Sequence, residues 1–450
     1  MQPARPQLET QATSGAARLY WSRERMRAYQ LERLRDTLAQ AANAPFYAPR
    51  LRGVCLESVE DLARLPLTTK AEVRAASPSG LLAVEPTELF QYHESFGTTG
   101  APASSWMTRS DFENYAAQIN HAAVDFRPGD RVVVRFPYAI SVPAHIVTQA
   151  AHDRGACVIP VSSRSAVSPY PRVIDLLRKL DATVLCCLPT EAIWLAEAAR
   201  LKGLDSRKDF SSLRALAVAG ELLTDARRER IADLWQARVF NLYGCTEAGN
   251  IAADCEAGSL HVSWDHFAVE VLDEATGRPV SEGERGIAVV TTLTRRAMPL
   301  LRYVLGDSIR LQAEHHCPCG RTAPLLQHYG RDLNLIRYAG RTFFTREIEE
   351  ILLPAGAGAI GNFWLYEVRP QGVKVRVEAE YPDAALYRRL EAQIRSQLDL
   401  PLEIDPAPPG ALLDRRRFQA VEPVAKPRTV GYIQDGAAPL TLDALMAAGE

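Results

Sequence analysis

Between residues 131 and 243 short apolar runs alternate with helical stretches, and no other feature narrows the fold as much. The runs 131–137, 156–161, 182–189, 213–219 and 238–243 are rich in Val, Leu and Ile, with helical stretches such as 190–202 and 224–235 between them. Apolar side chains at every position, rather than every second one, mean strands covered on both faces. The expectation is therefore an α/β fold with mostly parallel, helix-covered sheets. In such sheets ligands collect beyond the carboxyl ends of the strands, so the residues just after each run carry the functional interest. After about 260 the texture changes. Segments 261–273 and 286–293 read as strands joined by the polar turn 274–279 with no helix between them, which predicts an antiparallel subdomain. A boundary near Gly330 divides the chain into a large N-terminal domain, 1–330, and a small α+β domain, 331–450. The small domain reads as a hairpin (333–344), a helix (345–353), strands within 360–381 and a helix (384–398). Its Pro- and Ala-rich end, 406–450, is expected to wrap loosely. Residues 16–42 carry a helical stripe of Leu19, Met26, Tyr29 or Leu31, Leu34 and Leu38, expected to pack on the main domain.

Charge and cysteine usage exclude several function classes. With 52 basic and 54 acidic side chains the formal net charge is −2, against the basic excess of a nucleic-acid or anionic-membrane protein. No segment approaches the ~18 apolar residues of a membrane span. The opening Met1-Gln2-Pro3-Ala4-Arg5-Pro6 has no apolar block behind it, so no secretory leader is read and the cytoplasm is the expected location. Eight cysteines in 450 residues are too sparse for a disulfide scaffold.

Five motifs follow in order. Glu94-Ser95-Phe96-Gly97-Thr98-Thr99-Gly100-Ala101-Pro102 sets small hydroxyl residues between glycines, so that backbone N–H groups and hydroxyls can close around a phosphate. It lacks the Gly-Lys-Ser/Thr ending of a Walker A loop. The Ser110-Asp111-Phe112-Glu113 that follows fits a capping box opening a helix. Ala219-Gly220-Glu221 comes directly after an apolar run. Tyr243-Gly244-Cys245-Thr246-Glu247-Ala248-Gly249 stands at another strand end, where a hydroxyl beside a carboxylate can hold a phosphate and its Mg²⁺. Leu301-Arg302-Tyr303-Val304-Leu305-Gly306-Asp307 offers a lone Asp for ribose hydroxyls. Gly330-Arg331-Asp332 marks the domain boundary.

In this order and spacing the five motifs resemble the adenylate-forming superfamily, and most closely its phenylacetate-CoA ligase branch. That branch is also suggested by Leu260-His261-Val262-Ser263-Trp264-Asp265-His266-Phe267, Thr291-Thr292-Leu293-Thr294, Leu301-Arg302-Tyr303 and Cys317-Pro318-Cys319-Gly320-Arg321-Thr322. The resemblance covers roughly 90 to 430. It implies that Ser95, Gly97, Thr98, Thr99 and Gly100 wrap the β- and γ-phosphates of ATP, and that Gly220 and Glu221 border the adenine. It also implies that Tyr243 and Gly244 lie near that ring, Thr246 contacts the α-phosphate, Glu247 binds Mg²⁺, and Asp307 holds the ribose with Arg331 nearby. The reaction implied is attack of a carboxylate on the α-phosphate, giving an acyl-adenylate and pyrophosphate. Such chemistry needs positioning and charge neutralisation rather than a nucleophilic side chain. A lysine of the mobile C-terminal domain is also implied. Lys426 in Val424-Ala425-Lys426-Pro427-Arg428 is the match, since the other lysine beyond 330, Lys374, sits in an apparent strand.

Three departures from the family pattern stand out. Ala101 and Phe96 replace a common Lys and Ser in the phosphate loop, the hinge retains a single acid in Asp332, and Ala339-Gly340 replaces the usual Arg-Gly of the thiol tunnel. The resemblance implies a small aromatic carboxylate held between Phe136, Tyr138, Ala219 and Cys245, with His145, on the helix after Tyr138, in reach of a polar ring substituent or simply packed. The expected acceptor is coenzyme A, the alternatives being a carrier-protein thiol or an amine. An inactive nucleotide-binding module is the reading from another class, and a homodimer follows from what relatives do. Cys255, His261, Cys317 and Cys319 give a Cys₃His set suited to a closed structural Zn²⁺ site, with His315 and His316 as competing donors.

Overall fold

A computed structural model describes residues 15–95, 102–356, 358–419, 428–434 and 436–447. Its centre is one sheet of 11 strands. Strands Cys157–Pro160, Arg131–Val134, Val184–Cys187, Ala215–Ala219 and Arg238–Cys245 lie side by side in parallel, as the apolar runs predict. Helices Pro143–Asp153, Tyr170–Lys179, Pro189–Leu201 and Asp225–Trp235 connect them. The inner strands are buried on both faces, with Val132, Val134, Val184, Leu185 and Leu216 at 0% exposure, which is why their sequence shows no alternation, whereas the edge strand Cys157–Pro160 is partly exposed.

The antiparallel region continues this sheet from the edge of Arg238–Cys245, where the chain turns back through Gly249–Asp254. Leu260–Val262, Leu325–Gly330, Tyr303–Gln312, Arg285–Thr292 and Phe267–Leu272 follow in spatial order, all antiparallel. The single strand expected over 261–273 is two, interrupted by a turn at Ser263–His266 in which the Ser263 N–H bonds to the Ile251 carbonyl. The helix Arg23–Ala41 closes this half, burying Met26 and Leu34 completely, and the Gln30 amide donates to the Trp264 carbonyl at 2.6 Å.

A two-stranded hairpin, Leu89–Glu94 with Ser104–Thr108, stands beside the sheet and leads into helix Arg109–Asn120. Here the expected cap shifts by two residues. Thr108 is the N-cap, its Oγ1 accepting from the Asp111 N–H at 3.1 Å while Asp111 Oδ2 accepts from the Thr108 N–H at 2.9 Å. Asp111 wins over Glu113 because its carboxylate also accepts the backbone N–H groups of Arg296 and Ala297, at 2.6 and 2.9 Å.

Beyond 330 come the hairpin Leu335–Tyr338 with Arg341–Phe344, helix Thr345–Leu352, a four-stranded sheet and helix Ala384–Leu398. The hairpin turns on Ala339 and Gly340, at φ +49° and +73°, the pair of positive angles a two-residue type I′ loop requires. The expected loose tail is partly ordered: Val430–Tyr432 adds a parallel edge strand to Trp364–Arg369, and Leu442–Ala447 is a helix. This unit sits against helix Asp225–Trp235. Arg227 pairs with Glu349 at 2.6 Å, Arg346 with Asp225 at 2.5 Å, and Arg230 donates to the carbonyls of Leu353 and Ile360. Ile336, Ile348 and Trp364 share one buried cluster with Val133, Leu216 and Trp235 of the larger part. Among the described residues no helix is long and apolar enough to cross a membrane.

Candidate active site

The carboxyl end of Arg238–Cys245 brings together Tyr243, Gly244, Cys245, Thr246 and Glu247 with Asp307 and Arg331. The strand ends in a tight return to Gly249–Asp254, and two glycines make it possible. A Cβ on Gly244 would stand 1.9 Å from the Gly249 carbonyl oxygen, and one on Gly249, at φ +102°, would stand 2.6 Å from the Tyr115 ring. The residues inside this return, Cys245 to Ala248, are thereby presented at the sheet end.

Asp307, on strand Tyr303–Gln312 of the same sheet, is the most heavily bonded acid of the group. Arg331 grips its carboxylate in a fork, Nε to Oδ1 at 2.6 Å and Nη2 to Oδ2 at 3.1 Å, while His328 Nε2 donates to Oδ1 and the Tyr243 hydroxyl to Oδ2, both at 3.1 Å. Burial alone would raise this carboxyl. The Arg331 charge and the donated bonds overcome it and hold the group well below the usual carboxylate range. Asp307 in turn raises Arg331, so both stay charged. The Tyr243 ring lies 4.8 Å from the His328 ring, and burial followed by Asp307 keeps its hydroxyl protonated. His328 was not singled out in the sequence. The signal was present, since it stands three residues before Arg331, on the strand that ends at Gly330.

Thr246 and Glu247 are held through their backbone. Ser105 Oγ donates to the Thr246 carbonyl at 2.9 Å, and Arg295 donates through Nη1 to the Glu247 carbonyl and to the Tyr115 hydroxyl. Its other arm, Nη2, donates to Ser105 Oγ at 2.8 Å and to the Trp106 carbonyl at 3.1 Å. Arg295 is 3% exposed. It therefore ties the 245–248 return to the hairpin Leu89–Glu94 with Ser104–Thr108, which flanks the segment expected to hold phosphates. The sequence reading stopped at Thr294, one residue short. Glu247 itself is buried and accepts from the Tyr303 hydroxyl at 3.2 Å. The Cys245 thiol is pushed up to about 12 by desolvation, with Glu247 adding to the effect, so it is a neutral wall rather than a nucleophile.

Ser95 closes the base of the phosphate loop, its N–H bonding to the Ala103 carbonyl at 3.1 Å and its Oγ accepting from the Ala103 N–H at 2.9 Å. Gly97, Thr98, Thr99 and Gly100 of the loop lie outside the described residues, as does Lys426. Gly220, at φ +84°, is exposed at its strand end. Glu221 accepts from the Thr190 N–H at 3.0 Å, and its Oε1 is buried without a partner. Phe136 is 2% exposed and packs in the same buried cluster as Val134 and Cys186, with Tyr138 and Ala219 against it. Tyr138 hydrogen-bonds Thr148 at 2.8 Å, and His145 donates to the Tyr138 carbonyl at 2.8 Å, which turns the ring onto the backbone. Asp332 is exposed and pairs with Arg337 at 2.9 Å.

The four proposed zinc ligands converge. Cys255 Sγ, His261, Cys317 Sγ and Cys319 Sγ have their ligand atoms within 4.8 Å of one another. Cys255 and Cys317 sulfurs are 3.6 Å apart, and Cys319 Sγ is 3.4 Å from His261 Nε2. His261 Nδ1 donates to the Ala323 carbonyl at 2.9 Å, leaving Nε2 as the free lone pair aimed at the sulfurs, the arrangement that orients a ligating imidazole. His315 spends Nε2 on the same carbonyl at 2.8 Å and stands outside this group.

Comparison with known proteins adds to this geometry. Residues 66–292 match the family model described as AMP-binding enzyme. A phenylacetate-coenzyme A ligase of Thermus thermophilus is 31% identical over 428 residues, covering 86% of this chain and 94% of that protein. A crystal structure of 2-hydroxyisobutyryl-CoA ligase in the postadenylation state matches with a TM-score of 0.80 at 23% identity, over 95% of this chain and 94% of that one. The same ligase in the thioesterification state, with 2-HIB-AMP and CoA, matches at 0.66 and 24% identity, over 92% and 91%. At these identities the structural likeness is one of fold.

Proposed function

Because the chain belongs to the AMP-binding enzyme family, in the branch of the phenylacetate-CoA ligases, we propose that it is an ATP-dependent, AMP-forming acid–CoA ligase acting on a small aromatic carboxylic acid. The observation that carries this reading is the buried Asp307 carboxylate, forked by Arg331 and bonded by Tyr243 and His328, beside a strand return that presents Thr246 and Glu247. This ionised carboxylate already receives four donated bonds, so it accepts the hydroxyls of a ribose by exchanging those from Tyr243 and His328 while Arg331 keeps its charge in place. The adenine lies against Tyr243, bordered by Gly220 and Glu221.

In the first half-reaction a carboxylate oxygen of the acid attacks the α-phosphorus. The bond from that phosphorus to the bridging oxygen breaks, and pyrophosphate leaves with the bonding pair. Thr246 positions the α-phosphate, Ser95 through Gly100 enclose the β- and γ-phosphates, and Lys426 neutralises charge between the acid and the α-phosphate. Mg²⁺, when bound, is held by Glu247 and offsets phosphate charge. In the second half-reaction the coenzyme A thiol attacks the acyl carbon, loses its proton, and expels AMP. The small domain rotates about Asp332 between the two. In support, the fold's likeness to one ligase is 0.80 in the postadenylation state and 0.66 in the thioesterification state. Flat faces near Tyr138 favour an aromatic acid by about 0.5–1.5 kcal/mol beyond area burial. Cys255, His261, Cys317 and Cys319 hold a structural Zn²⁺, a soft set matched to that ion.

Pyrophosphate release is the test, measured across benzoic, anthranilic, hydroxybenzoic and phenylacetic acids with and without coenzyme A. Acid-dependent release that accelerates with coenzyme A, with a thioester seen by mass spectrometry, is expected. Release indifferent to coenzyme A overturns the acceptor and turns attention to Ala339, where the usual Arg is replaced. Silence with every aromatic acid overturns the substrate class.

A further inference from the structure

We propose that His121, Asp265 and His266 form a second metal site, separate from the cysteine cluster, that takes a divalent transition ion of the zinc class. His121 caps the carboxyl end of helix Arg109–Asn120, and Asp265 and His266 lie in the turn that interrupts the antiparallel strands. The three come from distant parts of the chain, yet one ligand atom of each lies within 4.8 Å of the others. Asp265 is 1% and His266 4% exposed.

The decisive observation is what these atoms lack. His121 Nδ1, Asp265 Oδ1 and His266 Nε2 are all buried without a hydrogen-bond partner. Leaving such an atom unpaired is costly, and buried polar groups are nearly always paired. Three of them, on residues whose ligand atoms converge, are satisfied together by a cation. His266 is also preset for the role. Its Nδ1 pairs with Thr294 Oγ1 at 2.9 Å, which fixes the ring and leaves Nε2 facing Asp265, 3.5 Å from Oδ2. Arg18 donates Nε to Asp265 Oδ2 at 2.9 Å, so one oxygen is taken and the other remains for the ion. Two imidazoles and one carboxylate exclude Mg²⁺ and Ca²⁺, which prefer oxygen donors throughout, and match Zn²⁺. The ion joins the helix end to the turn and, through Thr294, stands next to Arg295.

The test uses the full chain stripped by a chelator and reloaded with Zn²⁺ or Co²⁺. His121→Gln is expected to bind one equivalent of Zn²⁺ fewer than wild type. With Co²⁺ it is expected to keep any thiolate-to-metal absorption, because the cysteines are untouched. Asp265→Asn, nearly isosteric, is expected to weaken Zn²⁺ at this site at least tenfold and guards against misfolding of the first variant. Cys317→Ser with Cys319→Ser is expected to retain one equivalent without thiolate absorption. Equal zinc content and affinity in wild type, His121→Gln and Asp265→Asn would overturn the site and leave an ordered water as its occupant.

Discussion

Replacing Arg295 by Met should disable adenylation while leaving the fold nearly intact. The guanidinium serves four acceptors: the carbonyls of Glu247 and Trp106 and the hydroxyls of Ser105 and Tyr115. The hydroxyls can reorient when it is gone, but the two carbonyls cannot. Losing two charge-assisted bonds at about 1.5–3 kcal/mol each gives roughly 3–6 kcal/mol of destabilisation. Against this, methionine removes a guanidinium that is 3% exposed, whose burial itself costs several kcal/mol. The difference leaves a net cost to the fold of about 1–3 kcal/mol, readable as a modest fall in denaturant midpoint. The effect on the reaction is larger. The return carrying Thr246 and Glu247 loses its tie to the hairpin, and a displacement of about 1 Å at reacting groups costs about 100-fold in rate. Pyrophosphate exchange should therefore show kcat down about 100-fold with a small change in KM for ATP, because Asp307 and Arg331 are untouched. Arg295→Lys keeps the charge without the fork and should fall in between. Wild-type kcat in the Met variant, or a loss of activity that merely follows unfolding by circular dichroism, would refute the reasoning.

Glu247→Gln and Lys426→Ala should each collapse pyrophosphate exchange, by about 3 kcal/mol of barrier as for other preorganised electrostatic contacts, and unchanged rates in both would reassign the site. Cys317→Ser should lower zinc content measured by metal analysis, and less than half an equivalent in fresh wild-type protein would undo the Cys₃His site. Glu191, fully buried, has its carboxyl raised to about 7, chiefly by desolvation, which outweighs the lowering from Arg135. The folded protein thus holds this proton where the unfolded chain has released it, so stability falls as pH rises from about 4.5 to about 7. Glu191→Gln should flatten that part of the denaturation-against-pH profile, and an unaltered slope would show that another group sets it.

The parallel half of the sheet was legible because burial on both faces writes an unbroken apolar run, and helices such as Asp225–Trp235 and Ala384–Leu398 followed from their periodicity. The strand Tyr303–Gln312 was not read as one. It contains Gly306 and Asp307, and a residue placed for binding breaks the pattern that announces a strand. The joining of both halves into a single sheet depends on pairings between distant segments, such as Leu325 with His261, that no local pattern encodes. Within the site, Asp307 and Arg331 stood out by motif, and the Cys255, His261, Cys317 and Cys319 side chains do converge. Arg295 left no trace, since an arginine is ordinarily a surface residue and its burial is decided by four partners far away in sequence.

Arg331 is the last residue before Asp332, so the side chain that clamps Asp307 is also the inner bearing of the proposed rotation. In any hinge, displacement grows with distance from the axis, and the point on the axis stays where it is. Gly330 belongs to the central sheet, and Arg331 is fastened to that sheet through Asp307. A swing of the small domain would therefore carry the Ala339-Gly340 turn with it while the Asp307–Arg331 pair, the proposed ribose clamp, stays almost stationary. On the proposed function, such a lever would exchange one set of reacting groups for another without loosening the hold on a nucleotide at the fulcrum.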